Sequence, residues 1–180
     1  MSNRMEQTML ETIKGLITSQ MVAALDTLKY CMDSCPDAEW QEPHKDYPFS
    51  QVVFHALFYA DYYLGRDTVP SKDQAFHKAH KDVFKDYEEL EDKIPRNLYE
   101  KAFCLDYLAH CTSKLKAAVE SETRESLTGT SGIEFRKTSR AELYVYNTRH
   151  IQHHAAQLGL RIQWVTGKEM PWFSGTKATA

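Results

Sequence analysis

Apolar and small residues recur at intervals of three and four along most of this chain, and no segment alternates apolar with polar residues convincingly over a strand's length. An α-helix gathers residues of that period onto one face, so the chain is constrained to bury helix against helix. The first stripe, Leu10, Ile13, Ile17, Met21, Ala24, Leu28 and Cys31, predicts a helix from near residue 4 to near residue 32. It stops in DSCPDAEW, where Cys35 precedes Pro36 and is biased out of helix. Pro48 has the fixed φ of a first helical turn and opens FSQVVFHALFYADYYLGR, a second helix that is apolar almost all round and ends near Gly65. A third helix, from about Asn97 to Ser121, carries Leu98, Ala102, Leu105, Leu108, Thr112, Leu115 and Val119, and is expected to lie beside the fourth. The fourth opens at Ser139 and Glu142, in the S-x-x-E spacing of a capping box, and continues through Trp164 to Gly167.

Residues 67–95 form the longest connection, with Pro70 and Pro95 at its edges and a short helix expected in FHKAHKDVFKDYEELED. A link of this length can carry the chain across a bundle end and cover a site. SLTGTSGIEFRKTSR reads as a loop with one short extended piece at IEFRK, and the tail KEMPWFSGTKATA as irregular. Without a repeat or a low-complexity tract, residues 1–180 read as one all-α domain, a four-helix bundle.

The 180 residues are 42% hydrophobic and 26% charged, which excludes a disordered or fibrous chain. With a net charge of −3 and no stripe of Lys and Arg, nucleic acid is not an expected partner. The N-terminus lacks a signal-peptide pattern, and no segment approaches the roughly 20 apolar residues that span a bilayer. A soluble cytoplasmic protein is therefore expected, with no membrane partner. Cys31, Cys35, Cys104 and Cys111 are read as reduced thiols packed as small apolar residues.

Three of the eight histidines fall where a core-lining side chain belongs. On the fourth helix Ile151, Ala155, Leu158, Ile162 and Val165 define the stripe; His154 lies roughly 60° and His150 roughly 100° from it on one side, whereas His153 lies roughly 160° away and faces solvent. His150 and His154 stack one turn apart, and His55, on the second helix, sits roughly 60° from the stripe of Val52, Ala56, Tyr59 and Tyr63. Packed helices stand about 8–10 Å apart, so His55 can meet the other two across the core. Three neutral imidazoles suit zinc, nickel, copper or iron and leave a coordination position for water or substrate. The bland alternative is that each histidine is a hydrogen-bonded core residue; the third histidine on a second helix favours the metal. His77 and His80, in a Lys-rich segment, are expected to be solvated, His44 to sit in a loop, His110 to stand alone on the third helix, and EELED at 88–92 to form an exposed helix end.

CPDAEW, PFSQVVFHALFYADYYLG and RHIQHHAAQLGLRI together resemble the DinB-like superfamily of small bacterial metal-binding bundles, which includes thiol-dependent transferases. The resemblance covers nearly the whole chain. The family's closing motif is similar to H-x-x-x-H-x-G-Q, which falls on His150, His154 and Gln157, with Ala156 standing where glycine is common. It implies an up-down-down-up bundle with a crossover between the second and third helices, a divalent ion on His55, His150 and His154, and a homodimer. Trp172, Phe173 and the apolar second helix offer surface for that dimer.

A metal-dependent enzyme of thiol-transferase or hydrolase type follows as the expectation, with zinc or nickel foremost and a small molecule, such as a low-molecular-weight thiol, as substrate. Tyr59, Asn147 and Gln157 are the candidates for orienting a ligand. Activity would fall below about pH 6 as the ligands protonate from about 6.5. A non-catalytic metal- or ligand-binding stress protein and a helical interaction module are the alternatives.

Overall fold

The computed structural model describes residues 2–44, 47–88 and 97–175. In chain order come α1 (Ser2–Ser34), the one-turn α2 (Asp37–Trp40), the two-residue strands β1 (Pro43–His44) and β2 (Tyr47–Pro48), and α3 (Phe49–Leu64). A 3-10 turn (Ser71–Asp73), α4 (Ala75–Ala79), α5 (Lys81–Glu88), α6 (Lys101–Glu120), α7 (Arg124–Thr128) and α8 (Arg140–Thr166) complete the all-α chain.

The four long helices form a ring in which α1 and α3 each pack against both α6 and α8. Helices α6 and α8, expected to be neighbours, instead sit across the diagonal, because α7 and the following loop carry the chain over the bundle end. Their shared core holds Met21, Leu25 and Leu28 of α1, Val53, Phe54 and Leu57 of α3, Cys104, Tyr107 and Cys111 of α6, and Ile151, Ala155 and Leu158 of α8. All four cysteines are buried and unbridged. Burial pushes the Cys31 and Cys104 thiols up to about 12 and Cys35 to about 11, so none is a nucleophile near neutral pH.

Several expected boundaries move for identifiable reasons. The third long helix begins at Lys101 rather than Asn97, since the Tyr99 carbonyl accepts Trp40 Nε1 at 2.7 Å and Gln41 Nε2 at 3.1 Å and the segment before it is not helical. Leu98 is left 54% exposed, and the buried face of α6 is Cys104, Tyr107, Leu108, Cys111, Leu115 and Val119. IEFRK is a turn rather than an extended piece: Ser131 Oγ receives the Ile133 N–H and donates locally to carbonyls, and the only bridge nearby joins Thr130 to Ser139. The short helix in the connection breaks at His80 into α4 and α5, and His44 lies in β1 rather than a loop. Glu88 closes α5; the rest of EELED and Pro95 lie outside the described residues. On α8, Ser139 Oγ caps the Glu142 N–H at 3.1 Å, Gly167 ends the helix at φ 69°, and Val165 is half exposed.

Two buried polar hubs hold the helix ends. Arg140 is 1% exposed and donates to the carbonyls of Tyr63, Leu64 and Gly65, so a cation caps the C-terminus of α3. Glu122 compensates it, accepting from Arg140 Nε at 3.0 Å, Tyr144 Oη at 2.9 Å and Arg66 Nη2 at 3.1 Å. The second hub is Asp61, 1% exposed on α3. It accepts from His77 Nε2 at 2.6 Å, Tyr107 Oη at 2.9 Å and Lys114 Nζ, with His110 Nε2 3.6 Å away. His77 is therefore not solvated but 2% exposed, and His110 is not alone, lying with its ring 4.3 Å from Phe76. His80 is half-buried against Phe76 at 4.7 Å. The expectation failed because a Lys-rich segment can still dock one face when a carboxylate waits beneath it. This hub ties the connection between α3 and α6 to both helices.

Candidate metal centre

His55 on α3 and His150 and His154 on α8 each offer a ring nitrogen, and these nitrogens all lie within 4.8 Å of one another. An ion bound tetrahedrally at about 2.0–2.1 Å would draw such atoms to about 3.4 Å apart, so small side-chain rotations suffice. Ring centroids are 5.4 Å apart for His55–His150 and 4.7 Å for both pairs that include His154. His153 is exposed, as its direction on the helix predicts.

The hydrogen bonds around the rings select their free nitrogens. The Gln157 amide oxygen has no proton to give, so His154 Nδ1 donates to it at 2.9 Å and leaves the Nε2 lone pair free. His55 Nδ1 lies 3.1 Å from Tyr87 Oη, which leaves its Nε2 for the centre. His150 Nδ1 is buried and has no hydrogen-bond partner among the described residues, a vacancy in the polar accounting that a ligand at this centre would explain. Burial, helped by the proximity of His154, pushes His55 down to about 4; burial and then His154 and His55 push His150 down to about 3. His154 is also lowered by burial, against the Gln157 hydrogen bond. All three are thus neutral near pH 7, the state in which imidazole binds a metal.

Of the other candidates, Tyr59 packs its ring 4.9 Å from His55 and 5.6 Å from His150. Gln157 is exposed and touches His154. Asn147 is fully buried and donates to the Ala60 carbonyl at 2.9 Å, joining α8 to α3 beside the site, while its Oδ1 has no partner among the described residues. Tyr87, on α5, escaped the sequence reading because a lone tyrosine in a charged segment carries no spacing signal; only the docking of the connection brings it to His55. A cavity of 540 Å³ opens beside His55, His154 and Tyr87, and among the described residues no acidic side chain lines it.

Residues 20–158, which include all three histidines, match the family model of the DinB superfamily, and the chain belongs to that superfamily. No curated protein and no solved structure matches it. Among the described residues no helix is long and apolar enough to cross a membrane.

Proposed function

We propose that this protein is a metal-dependent enzyme of thiol-transferase or hydrolase type, in which His55, His150 and His154 hold a divalent ion, zinc or nickel. The observation that carries the reading is the convergence of three neutral imidazoles, from two adjacent helices, beside a largely apolar cavity. When bound, the ion supplies a positive charge that keeps a thiol as thiolate or makes a water more acidic near neutral pH. Gln157 and Tyr87 orient two of the rings, Tyr59 walls the third, and Val52 and Leu158 keep water from the approach. The described lining of the cavity, in which the polar groups beside the histidines are Tyr, Gln and Arg side chains, favours, as a second reading, a protein that binds a metal or ligand without turnover.

The test is a screen of several thiols with electrophilic and hydrolysable substrates. Chelation is expected to eliminate turnover and re-addition of the ion to restore it; no turnover across the screen despite tight metal binding would select the second reading. The depressed histidines revise the expected acid limit. Burial lowers all three histidines, so proton competition sets in below the ordinary imidazole value of about 6.5 and metal retention, measured by titration, is expected to persist below about pH 6. Loss centred at pH 6 would contradict the buried geometry.

The four helices run up-down-down-up, and the protein is a homodimer, though not through α3, which is buried on nearly every side. The exposed apolar side chains that offer such a surface include Met9 and Leu16 of α1, each 61% exposed, and Trp172, 88% exposed. Sedimentation should give twice 20.8 kDa at micromolar concentration; the monomer mass across that range would refute the dimer.

A further inference from the structure

The cavity beside the histidines, at 540 Å³, is of a size that holds a small organic molecule. One wall is a single face of α8: His154, Gln157, Arg161 and Trp164 follow one another at helical spacing and all line it. Leu160 and Trp164 along this wall are 46% and 63% exposed, apolar surface that the core does not use. Among the described residues Arg161 is the one lining side chain with a permanent charge.

The Arg161 guanidinium is fixed in place by backbone carbonyls rather than by an ion pair. Its Nη1 donates to the Tyr47 carbonyl at 3.0 Å, Nη2 lies 3.5 Å from the Glu42 carbonyl, and the fork lies 5.4 Å from the Phe49 ring centre. Among the described residues no carboxylate pairs with it, and two hydrogen bonds leave further N–H donors on a group that has about five. Burial lowers the guanidinium's pKa, with Cys35 and the unbonded Glu39 carboxylate opposing it only in part, and an anion beside it would relieve the remaining penalty. Arg161 is seven residues from His154, which places the two about 10 Å apart along the helix axis.

The geometry points to a binding site for an apolar carboxylate, with its anionic end on Arg161, its hydrocarbon or aromatic body along Val52, Leu158, Leu160 and Trp164, and its other end at the three histidines. The histidine end rests on the metal reading given above; the Arg161 end does not. A hydrogen-bonded charge pair of this kind fixes length as well as charge, so the site measures its ligand between two points.

The test uses the full chain loaded with zinc and titrated calorimetrically with ω-mercaptocarboxylates of increasing length, with the matching mercapto-alcohols, and with octanoate. Affinity is expected to peak near eight carbons, whose bonds of about 1.5 Å span about 10 Å when extended. The alcohol of that length should bind about tenfold to a hundredfold more weakly, the size of a lost hydrogen bond to a charged group. Arg161→Gln should erase the preference for acid over alcohol while keeping stoichiometric zinc, and Arg161→Lys should restore part of it. Equal binding of acid and alcohol to the wild type, or an unchanged preference in Arg161→Gln, overturns the proposal, and thiol-dependent binding in the same titrations would leave the metal reading standing. If octanoate and the metal-free protein reproduce the full affinity and its dependence on Arg161, the anion site holds and the metal reading fails.

Discussion

His154→Ala is expected to abolish stoichiometric metal binding, whereas His153→Ala, one residue away, leaves it nearly intact. Both changes remove an imidazole from α8, but only His154 points at His55 and His150; His153 is exposed. Gln157→Ala separates ligation from orientation, because it keeps all three ligands and frees the His154 ring to rotate. Its affinity should fall by about tenfold to a hundredfold, between the other two. Elemental analysis after gel filtration gives the stoichiometry, and competition with a chelator gives the affinity. Equal losses from His153→Ala and His154→Ala would mean that the ligand set is wrong.

That contrast could be drawn from the sequence because helical periodicity gives direction as well as identity. Ile151, Ala155 and Leu158 fix which way α8 faces, and the histidines follow from about 100° per residue. Periodicity is silent on contacts made by short or irregular segments. Tyr87 and His77 belong to the connection, where no long stripe orients the chain, and the hydrogen bonds that join them to α3, to His55 and Asp61 respectively, carry no spacing signal. Leu98 shows the converse error: it fits the helical spacing of α6, yet two side-chain donors to the Tyr99 carbonyl accompany a non-helical backbone there. Asp61 stood in an apolar run with nothing in that run to show that three cationic or proton-donating partners would reach it from α4 and α6.

Asp61→Ala should be the most damaging single change away from the centre, costing about 3–5 kcal/mol, because it leaves Lys114 and His77 buried or half-buried without their anion. Burial alone would raise the Asp61 carboxyl, but His110, His77 and Lys114 beside it win and hold it well below the usual carboxylate range. A depressed carboxyl contributes stability that is present above its unfolded value, about 3.9, and is lost as pH falls through the folded value. The gap between wild type and variant should therefore be full at pH 7 and begin to narrow below about pH 4. Denaturant unfolding at both pH values measures it, and a variant that unfolds at the wild-type midpoint at pH 7 would show that the hub contributes nothing.

The hydrogen bond from α5 to His55 joins two equilibria that a reader of the histidines alone would treat as separate. Seating the connection between α3 and α6 orients a proposed ligand, and by thermodynamic reciprocity an ion that prefers the oriented ring would favour the seated connection by the same factor. Asp61 clasps the same connection through His77, one helix earlier. Residues that never touch the three histidines would thus set how tightly the proposed centre closes, and its capacity for an ion would become a measure of whether the connection between α3 and α6 is in place.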